Sequence, residues 1–195
     1  ILRLNKEQRK RGVVAVSTGN HGRGVAYAAR EQGIQAVICL SGLVPKNKVE
    51  AIKSLGADVR IFGSSQDEAE VEAIRLTEEE GLILISPFDH PDVIAGQGTI
   101  GLELLEDFPE LNCAVVPLSG GGLIGGIALA LKAASPKIHV VGVTMEKGPA
   151  MVLSLKAGKP VEVEEEESLA DSLGGGIGVE NHYTLSMVQD LVDET

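Results

Sequence analysis

Tryptophan is missing from this chain, and there are only 2 tyrosines and 3 phenylalanines. With aromatics at 3%, the interior has to be filled by Val, Ile, Leu and Ala. Basic side chains are also short: 17 Lys and Arg stand against 28 Asp and Glu, a formal net charge of -11. That balance argues against a nucleic-acid or anionic-membrane surface as the main partner. There are 2 cysteines, Cys39 and Cys113, with no paired spacing for zinc and no disulfide framework. Both sit in strand-like runs and are expected as buried small hydrophobes, which fits a reducing, cytoplasmic setting. No apolar run reaches the roughly 20 residues needed to span a bilayer, and the charged start shows no signal peptide. G-x-S-x-G, H-E-x-x-H and a Walker lysine are all missing.

What the chain has in quantity is glycine, 24 residues of it, within an ordinary 44% hydrophobic composition. Its 195 residues suffice for one large domain or two small lobes. The densest cluster is Ser119-Gly120-Gly121-Gly122-Leu123-Ile124-Gly125-Gly126. An apolar, strand-like segment precedes it at 113–118, and helix formers follow at 127–134. A glycine-rich turn between strand and helix lets backbone N–H groups converge at the positive end of a helix dipole. That is the outline of a phosphate cradle.

The rest of the chain alternates strand and helix. Short β-branched runs at 13–16, 36–40, 58–62 and 82–85 are separated by helical stretches at 25–32, 45–55 and 66–80. The pattern resumes with a helix at 93–105, the strand into the glycine turn, a strand at 138–143, and helices at 150–156 and 183–192. Such alternation predicts an α/β fold with parallel sheets covered by helices. The acidic run 162–167 is expected as a solvated loop or first helical turn.

Three groups of residues could carry chemistry. In the glycine turn, Gly120, Gly122 and Gly125 satisfy G-x-G-x-x-G, and Glu146 follows the next strand, so a dinucleotide-dependent oxidoreductase using residues 120–125 fits the pattern. Ser17-Thr18-Gly19-Asn20-His21-Gly22 lies between a strand's carboxyl end and a helix N-terminus, where open α/β sheets gather ligands. Capping could explain its Ser, Thr and Asn, but Asn20 and His21 offer more hydrogen-bonding groups than a cap uses, and the set suits a carboxylate. In Pro87-Phe88-Asp89-His90, the Asp-His pair is either an acid–base couple or a structural turn. Gly96 and Gly98 in the following helix suggest close helix–strand packing, since a helical glycine costs about 1 kcal/mol relative to alanine.

In this order, the three segments resemble the threonine dehydratase family of pyridoxal-phosphate enzymes (fold type II, tryptophan synthase β-like). Residues 17–22 resemble that family's S-[ST]-G-N-H motif, residues 87–99 its P-[FY]-D…G-Q-G-T segment, and residues 119–123 its phosphate loop. The dinucleotide enzymes do not carry the other two blocks. Residues 142–148 and 171–178 look most like hydroxyectoine utilisation dehydratases.

The resemblance implies a fold of two open, mainly parallel sheets. Residues 12–88 would form a small lobe, and residues 1–11 and 89–195 part of the large lobe, with the cofactor in the cleft between them. Backbone N–H groups of Gly120, Gly121, Gly122 and Leu123 would hold the cofactor phosphate, and Asn20 its 3′ oxygen. Ser17, Thr18, Gly19 and His21 would surround the carboxylate of a small amino-acid-like substrate. The implied activity is β-elimination of water from a hydroxy amino acid, giving a 2-oxo acid and ammonia. A homo-oligomer is implied as well.

Two departures from the family pattern bear on this. Thr18 stands where serine racemases carry a proton-donating serine, which speaks against racemisation. Thr144 stands where some relatives carry a metal-binding glutamate, so no metal is implied. A third is larger: the family's Schiff-base lysine, in S-F-K-x-R-G upstream of the Ser17 block, has no counterpart in these residues. The sequence therefore reads as an incomplete piece of such an enzyme, expected to be inactive alone. Another possibility is a non-catalytic remnant that binds a phosphate-bearing ligand.

Overall fold

The computed structural model describes every residue except 18, 65, 165–167 and 171, and leaves the side chain of Asp67 undescribed. It divides into two compact units, Ile1–Pro87 and Phe88–Thr195.

The first unit runs α1 (Lys6–Arg11), β1 (Val13–Val16), α2 (Asn20–Glu31), β2 (Ala36–Leu40), α3 (Lys46–Ser54), β3 (Asp58–Ile61), α4 (Gln66–Glu80) and β4 (Ile83–Leu84). Its strands form one parallel sheet in the order β3-β2-β1-β4. Every residue of β1 and β2 is buried, as expected of central strands with helices on both faces. The period of two sorts their side chains. Val13, Ala15, Ala36, Ile38 and Leu40 share a core with Val25, Ala26 and Ala29 of α2 and Val49 and Ile52 of α3. Val14, Val16, Val37 and Cys39 face Ala69, Ala73 and Leu76 of α4. Residues 1–11 go with this unit, where Ile1 and Leu4 pack against the first of these cores. Asn5 starts α1 with a reciprocal capping box to Gln8.

The second unit contains α5 (Pro91–Asp107), β5 (Cys113–Pro117), α6 (Gly122–Ala134), β6 (His139–Val143), α7 (Ala150–Ala157) and α8 (Thr184–Leu191). Strands β5 and β6 pair in parallel, Cys113 opposite His139 through Pro117 opposite Val143. Their inward residues Ala114, Val116 and Val140 join Ile124, Ile127, Ala128 and Leu131 of α6, Met151 of α7 and Val188 of α8. Glu194 makes a parallel bridge to Val141, so the segment after α8 lies along β6.

Several expectations need correcting. Cys39 is buried, but Cys113 is exposed, because the alternation along β5 turns Cys113 and Val115 to the outer face. Helix α6 begins at Gly122, inside the glycine cluster rather than after it. Gly98 packs against the backbone of Gly126 in α6, a helix–helix contact rather than a helix–strand one. A Cβ on Gly96 would meet nothing within 4 Å. Of the acidic run, residues 165–167 lie outside the described residues, and 162–164 are irregular.

Candidate functional site

In the first unit, the turn after β1 is built from short hydrogen bonds. The buried Ser17 donates its N–H to the Cys39 carbonyl at 3.3 Å, which extends the β1–β2 pairing by one residue. Its Oγ accepts the Gly19 N–H at 3.1 Å. Gly19 is the residue before α2 and has no side chain with which to cap it. Among the described residues, the N–H groups of Asn20 and His21 and the exposed side-chain amide of Asn20 have no hydrogen-bond partner. The first turn of α2 is therefore left with its donors open, where a helix N-terminus favours an anion. Gly22 is buried, and a Cβ there would lie 3.0 Å from Ile38 and 3.3 Å from Ser17. Thr18, the remaining member of this set, lies outside the described residues.

His21 sits in this turn in a specific way. Its Nε2 is 3.0 Å from the Ile85 carbonyl. A carbonyl can only accept, so Nε2 carries the proton and donates. Burial lowers the imidazole pKa from its ordinary 6.5, with the Ile85 hydrogen bond opposing that shift. The ring is thus a neutral brace between the start of α2 and the residue after β4. Its partner is a main-chain atom 64 residues away, which no side-chain pattern in the sequence marks.

In the second unit, the glycine turn connects β5 to α6. Gly120, Gly121 and Gly122 are buried. Gly121 adopts φ 87°, ψ -12°, in the left-handed region where a Cβ is disfavoured. Side chains press on the turn from several sides. A Cβ on Gly120 would collide with the Phe88 ring, and one on Gly122 would lie 2.8 Å from the Phe88 backbone. One on Gly121 would lie 2.7 Å from Met151 Cε and 2.9 Å from Thr184 Cβ. Among the described residues, the N–H groups of Gly120, Gly121, Gly122 and Leu123 donate to no protein acceptor. Gly125 is the first of the turn to do so, to the Gly121 carbonyl at 2.8 Å.

Four free donors at the start of a 13-residue helix form an uncharged nest that suits a phosphate. The residues present therefore fit the phosphate-bearing group expected there. Glu146, the acid expected for a dinucleotide ribose, is exposed beyond the end of β6.

The Asp89–His90 pair is not an acid–base couple. His90 caps α5, its Nδ1 accepting the Asp92 N–H at 3.1 Å. The Asp89 carboxylate accepts the N–H groups of His182 at 2.6 Å and of Tyr183 and Thr184 at 2.9 Å each. Both side chains are engaged in backbone capping, on two different helices.

Comparison with known proteins agrees with these features. Residues 1–195 match the family described as "Pyridoxal-phosphate dependent enzyme". A Sinorhizobium fredii protein, provisionally named a threonine dehydratase, is 56% identical over all of this chain and 58% of its own length. The L-threonine ammonia-lyase of Thermotoga maritima is 45% identical over all of this chain and 48% of its own. Among solved structures, maize serine racemase superposes with a TM-score of 0.92 at 39% identity, over 100% of this chain and 58% of that one. Threonine deaminase isoform 2 from Solanum lycopersicum gives 0.89 at 36% identity, over 98% and 55%. This chain thus spans about half the length of the curated relatives it matches. The family match spans residues 1–195, and the chain belongs to the pyridoxal-phosphate dependent enzymes.

Proposed function

We propose that the whole protein is an ammonia-lyase that removes water from a β-hydroxy amino acid, with L-threonine or L-serine as substrate, and releases a 2-oxo acid and ammonia. The observation that carries this reading is the glycine turn, with four unpaired N–H groups at the start of α6, in a chain 45% identical to an L-threonine ammonia-lyase. Gly120, Gly121, Gly122 and Leu123 hold the phosphate. Bound pyridoxal phosphate supplies an electron sink for the carbanion that forms at the substrate's Cα.

The turn after β1 handles the substrate. The open N–H groups at the start of α2 receive the substrate carboxylate, and Ser17, Thr18 and Gly19 shape its seat. Asn20, by the family resemblance, would hydrogen-bond the cofactor's 3′ oxygen. His21 contributes its main-chain N–H, because its ring is already committed to the Ile85 carbonyl. Within the family, the resemblance of residues 142–148 and 171–178 makes a hydroxylated compound derived from hydroxyectoine the alternative substrate; Asp171 lies outside the described residues.

The test is to supply the whole protein with pyridoxal phosphate and assay 2-oxo acid and ammonia from L-threonine, L-serine and hydroxyectoine-derived amino acids. Turnover of threonine or serine supports the general reading. Turnover confined to the hydroxyectoine-derived compound supports the narrower one. No release of ammonia from any of them by a fully loaded protein rejects both.

A further inference from the structure

The Phe88-Asp89 dipeptide bears on the glycine turn by two routes, one direct and one through α8. Phe88 lies directly against Gly120 and Gly122. Asp89 acts at a distance. Helix α8 is preceded by Tyr183, which supplies no side-chain cap. The N–H groups that this leaves are taken up from elsewhere. Asp89, 94 residues before Tyr183, accepts those of His182, Tyr183 and Thr184. Asn181 Oδ1 accepts that of Leu185 at 2.8 Å, while its Nδ2 donates to Thr184 Oγ1 at 2.8 Å. A carboxylate at a helix N-terminus also complements the helix dipole.

The capped end of α8 is the part that meets the glycine turn. Thr184 is fully buried, with its Cβ 2.9 Å from where a Gly121 Cβ would be, and Val188 follows at 3.3 Å. Met187 lies against Gly125, its Cβ 3.5 Å from the corresponding position. Two of the three side chains nearest the position of a Gly121 Cβ, Thr184 and Val188, thus belong to the helix whose N-terminus the Asp89 carboxylate caps, the third being Met151 of α7.

We propose that Asp89 is a positioning residue for the phosphate-binding turn: by capping α8 it holds Thr184 and Met187 against Gly121 and Gly125, and so fixes the aim of the N–H groups from Gly120 to Leu123. Phe88 holds the opposite side of the same turn. This rests on the reading of that turn as the cofactor's phosphate site. Asp89 touches neither phosphate nor substrate in this scheme; its effect passes through α8.

The test uses pyridoxine 5′-phosphate and pyridoxine, which lack the aldehyde and so report the phosphate contact without bonding to lysine. Their relative affinities are measured for the wild-type protein, Asp89→Ala and Asp89→Asn, and hydrogen exchange is followed at the amides of residues 120–125. Asp89→Ala should lower the preference for the phosphorylated compound by about tenfold, the scale of losing a charged hydrogen-bond acceptor. Amide exchange in the turn should rise with it. Asp89→Asn keeps one accepting oxygen for Tyr183 and Thr184 and should recover most of both, which a general loss of folding would not reproduce. It also serves as the folded variant if Asp89→Ala does not fold. Unchanged preference and unchanged exchange in Asp89→Ala overturn the role of Asp89. A wild-type protein that binds both compounds equally rejects the phosphate site itself, and the proposal with it.

Discussion

At the scale of single residues, the site depends on two different kinds of constraint. Gly121 is constrained twice, by its positive φ and by the three side chains that surround its missing Cβ. Gly121→Ala must therefore both strain the backbone and push Thr184 or Met151 aside. We expect a loss of about 2–4 kcal/mol in stability, read from denaturant unfolding, together with loss of selective binding of pyridoxine 5′-phosphate. His21 is constrained by burial instead. Its pKa is lowered in the folded state, so below its ordinary 6.5 the unfolded chain binds a proton that the folded protein resists. Stability contributed by the neutral ring is complete above that value and is lost as the pH falls below it through the lower pKa of the folded state. The melting temperature of the wild type should drop between pH 7.5 and pH 5.5 by more than that of His21→Asn. Parallel curves for the two proteins would show that His21 is not the group responsible. His21→Asn removes the titrating ring together with its bond to Ile85, so the test reads the pH dependence of the difference and not its absolute size.

At the scale of elements, the sequence located the strands and helices well, because buried β-branched runs and glycine stops are local signals. The run at 36–40 became β2 with unchanged bounds, and the helix predicted at 66–80 became α4. Boundaries failed where packing overrode propensity. Glycine is a poor helix former, yet Gly122, Gly125 and Gly126 all lie within α6. For Gly126 the reason is the contact with α5, while Gly122 lies against Phe88 and Gly125 against Met187 of α8. A Cβ on Gly126 would collide with the Ile94 carbonyl and lie 2.7 Å from the Gly98 nitrogen, and one on Gly101 would lie 2.8 Å from Ala130 Cβ. The helices approach more closely than larger residues permit. Gly96 lies two residues from both Ile94 and Gly98, and a Cβ there would face open space. The two positions should thus respond in opposite ways. Gly126→Ala should destabilise by about 1–3 kcal/mol through overpacking, and Gly96→Ala should stabilise by about 0.5–1 kcal/mol through helix propensity. Urea midpoints compared at constant slope measure both. A neutral Gly126→Ala would mean that α5 and α6 can separate without penalty.

At the scale of the whole molecule, the three motif blocks were legible because each is a compact run of unusual residues. What holds them in shape was not. The Asp89 caps on His182, Tyr183 and Thr184 and the His21 brace to Ile85 join positions 64 to 95 residues apart through backbone atoms, for which sequence carries no local mark. The lysines raise the remaining question of chemistry. None occurs within residues 17–22 or 119–126. Lys6 and Lys10 belong to α1, where Lys10 pairs with Glu7, and Lys46, Lys48 and Lys53 belong to α3. Lys132 is held 2.6 Å from the Asp193 carboxylate at the other end of α6 from the glycine turn. A lysine that forms a Schiff base needs a desolvated or otherwise lowered amine near the bound aldehyde, and an ion pair with a carboxylate works against that. We therefore expect the 195-residue chain alone to bind pyridoxal phosphate through its glycine turn without a preferred covalent partner. After borohydride reduction, peptide mapping should show low, scattered labelling of surface lysines, and the chain should not release ammonia from threonine. Stoichiometric labelling of one lysine, blocked by an excess of pyridoxine 5′-phosphate, would instead place the catalytic amine within these residues and overturn the expectation drawn from the family's motif.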